Sequence, residues 1–219
     1  MSLSSFSSFE ELLRHPAPGF RCYDSRDPKR TPAHIVGVKH HVAAGATDAA
    51  LGRLRSIPGA GADQFVEFHR RHDGVRLFAK LTSDDAGIVF FPLADWEAMT
   101  EELRQGWLSD LESETSFPAA SGKWWVFGEA PGSGNAFVWF ASGPHAGSIF
   151  YFDHDDFGAQ GEPMAADLSD FLGQIVRDPA EFLYRLGCFL RFMEPNTYAE
   201  LIPSEYVPDV RAVAQNAQG

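Results

Sequence analysis

The chain has 219 residues, 30 acidic and 18 basic, for a formal charge of −12. Hydrophobic residues make up 44% and charged residues 22%, the balance of a chain that folds around a core. A pI near 5.0 argues against a general nucleic-acid binder, which needs a basic footprint.

Residues 1–45 read as an N-terminal extension. Phe6, Phe9, Leu12 and Leu13 predict a short amphipathic helix ending before Pro16. Pro16, Pro18, Pro28 and Pro32 predict a loop, and residues 35–42 a short strand. A helix is expected over 48–57, with Leu51 and Leu54 on one face and Pro58-Gly59 closing it. A second is expected over 62–72, carrying Phe65, Phe68 and His72, with Gly74 as its stop. Residues 76–81 and 88–91 read as strands joined by a turn through Ser83, Asp84, Asp85 and Gly87.

Residues 94–108 predict a helix capped by Asp95, with Trp96, Met99, Leu103 and Trp107 as its stripe. Residues 109–123 are polar and loop-like. Three strands are expected over 124–127, 136–141 and 148–152, rich in aromatic and β-branched residues. Their separations are too short for crossover helices, so they should pair as an antiparallel meander. Asp167 can cap a helix carrying Leu168, Phe171, Leu172 and Ile175. Asp178-Pro179 starts another, carrying Phe182, Leu183, Leu186, Leu190 and Met193. Residues 195–219 hold three prolines and read as a loose tail. The order is that of an α+β domain over 46–194, between an extension and a tail.

Charge is concentrated in the middle. Residues 81–176 carry 16 acidic residues but only Arg104 and Lys123 as bases, net −14. This reads either as a solvated acidic face that aids solubility or as a surface that attracts a basic partner and raises its on-rate. No run of about 18 apolar residues exists, so no membrane-spanning helix is expected. Residues 1–10 have neither a basic nor an apolar region of the secretory kind. Cys22 and Cys188 are expected to be free and reduced, which places the chain in the cytoplasm.

No searched motif carries chemistry. The run Tyr151-Phe152-Asp153-His154-Asp155-Asp156 has metal-ligating side chains. In a strand, though, Asp153 and Asp155 point away from His154, and the spacing does not match a Ca²⁺ loop. His69-Arg70-Arg71-His72 lacks the Glu of a zinc helix, and its arginines repel a cation. A helix C-terminus accounts for it better. His40-His41 reads as a surface pair. The glycine-rich residues 128–134 lie between strands, as a hairpin loop does, and match neither a dinucleotide nor a phosphate loop. Ser133 lacks the nucleophile-elbow frame. Cys188 reads as buried in a helix and Cys22 as sitting in a loop. Glu101-Glu102 reads as solvent-facing, and the tryptophans Trp96, Trp107, Trp124, Trp125 and Trp139 mainly as core. No catalytic residue, metal or cofactor is expected. The alternative is a metal-dependent enzyme built on residues 153–156.

The order Phe68-His69-Arg70-Arg71-His72-Asp73-Gly74, Phe91-Pro92-Leu93-Ala94-Asp95-Trp96, Trp125-Val126-Phe127-Gly128, a Gly-Ser-Gly-Asn turn, Phe137-Val138-Trp139-Phe140 and residues 149–155 resembles the SUKH superfamily. The likeness covers roughly residues 48–190 and includes the helix with Phe171-Leu172. It implies a twisted, mostly antiparallel sheet flanked by helices, without catalytic residues. For bacterial members it implies immunity, the binding and blocking of a toxin domain, often a nuclease. Other members, among them fungal cell-wall-synthesis regulators, act as intracellular scaffolds. The expected partner is therefore a basic protein, neither nucleic acid nor membrane. The expected contact residues are Asp84, Asp85, Glu129, Asp153, Asp155 and Asp156.

Overall fold

The computed structural model describes residues 3–27, 29–30, 34–82, 87–108, 122–154, 162–187, 190–194 and 197–212. The order of elements is α1 (Leu3–Leu13), β1 (Gly19–Asp24), β2 (His34–Val42), α2 (Asp48–Arg55), α3 (Ala62–Arg71), β3 (Val75–Lys80), β4 (Ile88–Phe90) and α4 (Trp96–Leu103). A wider π-helical turn (Arg104–Leu108) follows α4. Then come β5 (Trp124–Ala130), β6 (Asn135–Phe140), β7 (Ile149–Phe152), α5 (Leu168–Arg177), α6 (Pro179–Arg185), β8 (Leu190–Glu194) and β9 (Thr197–Val207). The fold is α+β, and the strand ladders β1–β2, β1–β9, β4–β5, β5–β6, β6–β7 and β8–β9 are all antiparallel. Among the described residues no helix is long and apolar enough to cross a membrane.

The chain forms two compact units. The first comprises residues 1–41, 77–87 and 172–219; the second comprises 42–76 and 88–171. The chain passes from one to the other four times: after His41, within β3, after Gly87 and within α5.

In the first unit the strand order is β3-β2-β1-β9-β8. Two of these strands correct the sequence reading. Residues 19–24, expected in a loop, form β1, and residues 197–207, expected in a loose tail, form β9 between β1 and β8. The loop reading rested on prolines. Pro203 has no N–H for a ladder, but it lies opposite Cys22, where the β1–β9 register shifts by a bulge, and a bulge tolerates it. Cys22 is therefore a buried strand residue, and burial pushes its thiol up to about 12, which leaves it unreactive.

A third correction concerns α6. It ends at Arg185, with Gly187 at φ +65, and Leu190 and Met193 belong to β8. Its start follows expectation: Asp178 Oδ1 accepts from the Glu181 amide at 3.0 Å, and Pro179 takes the first turn. Asp178→Ala is expected to cost about 1 kcal/mol, read as a lower thermal midpoint without loss of fold. Cys188 lies outside the described residues.

The second unit is built on the order β4-β5-β6-β7, the meander expected from the sequence. Trp125 faces Trp139, and Trp139 faces Ile149, across the three strands. An aromatic core fills one side. The Phe65 ring centre lies 4.7 Å from Trp139, 5.2 Å from Phe127 and 5.4 Å from Trp96. Phe171 meets Phe137 and Phe127 at 5.1 and 5.7 Å. The two deep indoles keep their N–H groups bonded, Trp139 to the Ala60 carbonyl at 3.1 Å and Trp96 to that of Phe91 at 3.2 Å. Asp167 caps α5 as expected, accepting from the Asp170 amide at 2.8 Å. Asp95 stands before α4, but its side chain makes no capping bond.

Candidate functional site

The expected contact residues fall on one end of the meander where they are described at all. Glu129 lies within β5, because that strand runs on to Ala130. The expected seven-residue glycine-rich loop is thus only a tight turn. There the Ser133 hydroxyl donates to the Ala130 carbonyl at 2.5 Å and accepts from the Asn135 amide at 3.0 Å. Glu129 faces Ala136 on β6, and Ala136 faces Phe152 on β7, so Glu129 and Asp153 emerge at the same end of three neighbouring strands. Asp84, Asp85, Asp155 and Asp156 lie outside the described residues.

The end of β7 is fixed by one buried amide. Asn135 is 7% exposed, and its Nδ2 donates to the Tyr151 hydroxyl at 2.9 Å. Its Oδ1 accepts from the His154 amide at 3.0 Å and from His154 Nδ1 at 2.7 Å. An amide oxygen can only accept, so His154 carries its proton on Nδ1. This bonding holds the backbone just past Asp153 against β6, so the acid projects from a fixed point rather than a free loop.

Glu129 is half-buried. Its carboxyl is pushed above the usual carboxylate range, first by burial and then by the charge of Glu102, while Arg76 pulls it back. Glu102 is exposed on α4, as its solvent-facing position in the helix predicts. Its neighbour Glu101 behaves that way too, paired with Arg104 at 2.7 Å. Helical alternation alone could not show that the charge of Glu102 acts on Glu129 in β5. Two carboxylates from different elements therefore share one region, opposed among the described residues by Arg76. A positive group arriving there would relieve the repulsion and favour full ionisation of Glu129.

Two histidine expectations need correction. The surface pair His40-His41 divides: His41 is exposed, but His40 is largely buried. In the 69–72 run His69, not His72, is the buried histidine, because α3 stops at Arg71 and His72 is extended. His69 Nδ1 lies 3.1 Å from Asp73 Oδ1, which also accepts from the Leu93 amide at 2.9 Å. Of the tryptophans, Trp96, Trp124 and Trp139 are core as expected, Trp125 is partly exposed, and the Trp107 side chain is outside the description. Among the described residues no group of three or more His, Cys, Asp or Glu converges as a metal site would.

No family model matches this sequence, and no curated protein is significantly similar to it.

Proposed function

We propose that this chain is a non-enzymatic protein-binding module that docks a basic partner through the acidic end of the meander, and that it acts in the cytoplasm as an immunity protein against a toxin domain. The observation that carries the reading is the pairing of Glu102 with a half-buried Glu129 inside a segment of net −14. Half-burying a carboxylate beside another costs solvation and repulsion, which the charge of Arg76 only partly offsets. A cationic partner offsets both. The resemblance to the SUKH superfamily supports the same reading and supplies the partner class. Nuclease toxins are basic where they hold phosphate, and a negative surface meets them quickly at low salt.

The test is co-expression with the product of the neighbouring reading frame. Rescue of growth and a co-purifying complex are expected. A stable complex with a non-toxic protein would point instead to a regulatory scaffold of the same family. Within a complex, Glu102→Lys with Asp153→Lys is expected to weaken affinity about tenfold or more at low salt, and by less at high salt, because screening shortens the reach of these charges. Equal affinity at both salt concentrations would place the interface elsewhere.

A further inference from the structure

We propose that His40 is a proton-operated latch on β3: the neutral imidazole holds the Phe78 amide in a left-handed backbone conformation, and protonation releases it. Phe78 has φ +58, a conformation that L-residues with bulky side chains avoid, yet its side chain is fully buried. Such strain persists only where the surroundings hold it.

The holding contact is the Phe78 N–H, which donates to His40 Nδ1 at 3.3 Å. A nitrogen that accepts carries no proton, so the neutral ring keeps its proton on Nε2. Nε2 is itself buried, with no hydrogen-bond partner among the described residues. The ring is set by aromatic contacts. His40 meets Phe78 edge-on at 5.0 Å, and Phe78 meets Phe20 at 5.2 Å and Tyr206 at 5.8 Å.

Among the described residues, the two charged groups that act on His40, His15 and His41, both disfavour a cation. His41 is adjacent on β2, and His15 follows α1 with its Nδ1 2.9 Å from the Tyr206 hydroxyl. Tyr206 on β9 is held neutral by burial, and Lys80 lies two residues beyond Phe78 on β3, also buried. Among the described residues no carboxylate acts on His40. Burial, then His15 and His41, push it down to about 4. A folded value below the ordinary one means that the neutral latch is complete above the ordinary histidine range. Its contribution is lost as pH falls from about 6.5 through about 4. Once Nδ1 carries a proton it faces the Phe78 N–H donor to donor, and the left-handed residue keeps its ring packing but loses the hydrogen bond on its backbone.

The test is hydrogen exchange of the full chain by NMR, each amide rate divided by its intrinsic rate at the same pH. Between pH 7 and about 4.5 the protection of the Phe78 amide is expected to fall about tenfold or more. The Val38 amide, which donates to the Pro18 carbonyl on the same sheet, should change little. His40→Asn, whose Oδ1 can take the place of Nδ1 without titrating, should abolish the fall. Unchanged Phe78 protection in the wild type, or the same fall in the variant, overturns the latch. If the variant does not fold, the long-range ¹⁵N–¹H spectrum of the wild-type histidines decides. A proton on Nε2 at pH 7 with a midpoint below about 5 supports the proposal; a proton on Nδ1, or an ordinary midpoint, overturns it.

Discussion

Phe65→Ala is expected to destabilise the second unit by about 3–5 kcal/mol. Phe65 is 1% exposed and lies at the crossing of α3, α4, β5 and β6. Its removal deletes the transfer energy of a whole ring and leaves a cavity lined by Trp96, Phe127 and Trp139. Two of these walls cannot relax inward, because the Trp96 and Trp139 N–H groups are tied to backbone carbonyls. The edge-on contacts add about 0.5–1.5 kcal/mol each beyond buried area. Phe65→Leu, which keeps most of the volume, should cost about 1–2 kcal/mol. Denaturant unfolding followed by tryptophan emission checks both. A loss below about 1 kcal/mol for the alanine variant would mean that the core is not organised around this ring.

Asp73→Ala is expected to cost about 2–4 kcal/mol, although Asp73 is partly exposed. The carboxylate serves two donors at once, His69 Nδ1–H at 3.1 Å and the Leu93 amide at 2.9 Å. Truncation strands the imidazole N–H in a 2% exposed site, and an unmet buried donor costs about 1–3 kcal/mol. Asp73→Asn keeps an acceptor oxygen and should cost about half as much. The pH dependence separates charge from shape. The His69 hydrogen bond, aided by the Leu93 amide, holds the Asp73 carboxyl below the usual range. A depressed carboxyl contributes stability above its ordinary value and loses it as pH falls through the folded one. The gap between wild type and Asp73→Asn should therefore be widest near neutrality and close below about pH 4. A gap constant down to pH 3 would show that the ion contributes nothing.

The parts of this fold that could be read in advance are those whose signals are local. The meander follows from short aromatic and β-branched runs separated by turn residues, and α5 and α6 start at the acids that cap them. The parts that could not depend on distant partners. Nothing near Pro203 says that it will lie against a bulge in β1. A helix-like spacing ran Leu186, Leu190 and Met193 together, although Gly187 stood there as a stop signal. His40 could have been found. Val36, Val38 and His40 share one face of a strand by simple alternation, and the two valines mark that face as buried. Of the candidate site, Glu129 and Asp153 were legible as acids. Glu102 was not, because its approach to Glu129 is made by the packing of a helix on a sheet.

The β1–β9 ladder has a consequence for how the molecule comes into being. Arg21 and Ser204, joined by a hydrogen bond between those strands, are 183 positions apart, so nearly the whole polypeptide must be looped before they meet. Closing so long a loop is slow and is rewarded only once the contact forms. The second unit, whose ladders link near neighbours, can assemble while the nascent chain is still emerging from the ribosome. The first unit must wait, with β1 and β2 already made and an edge unmatched, until residues 197–207 arrive. In that interval the unpaired edge of β1 is open to pairing with other chains.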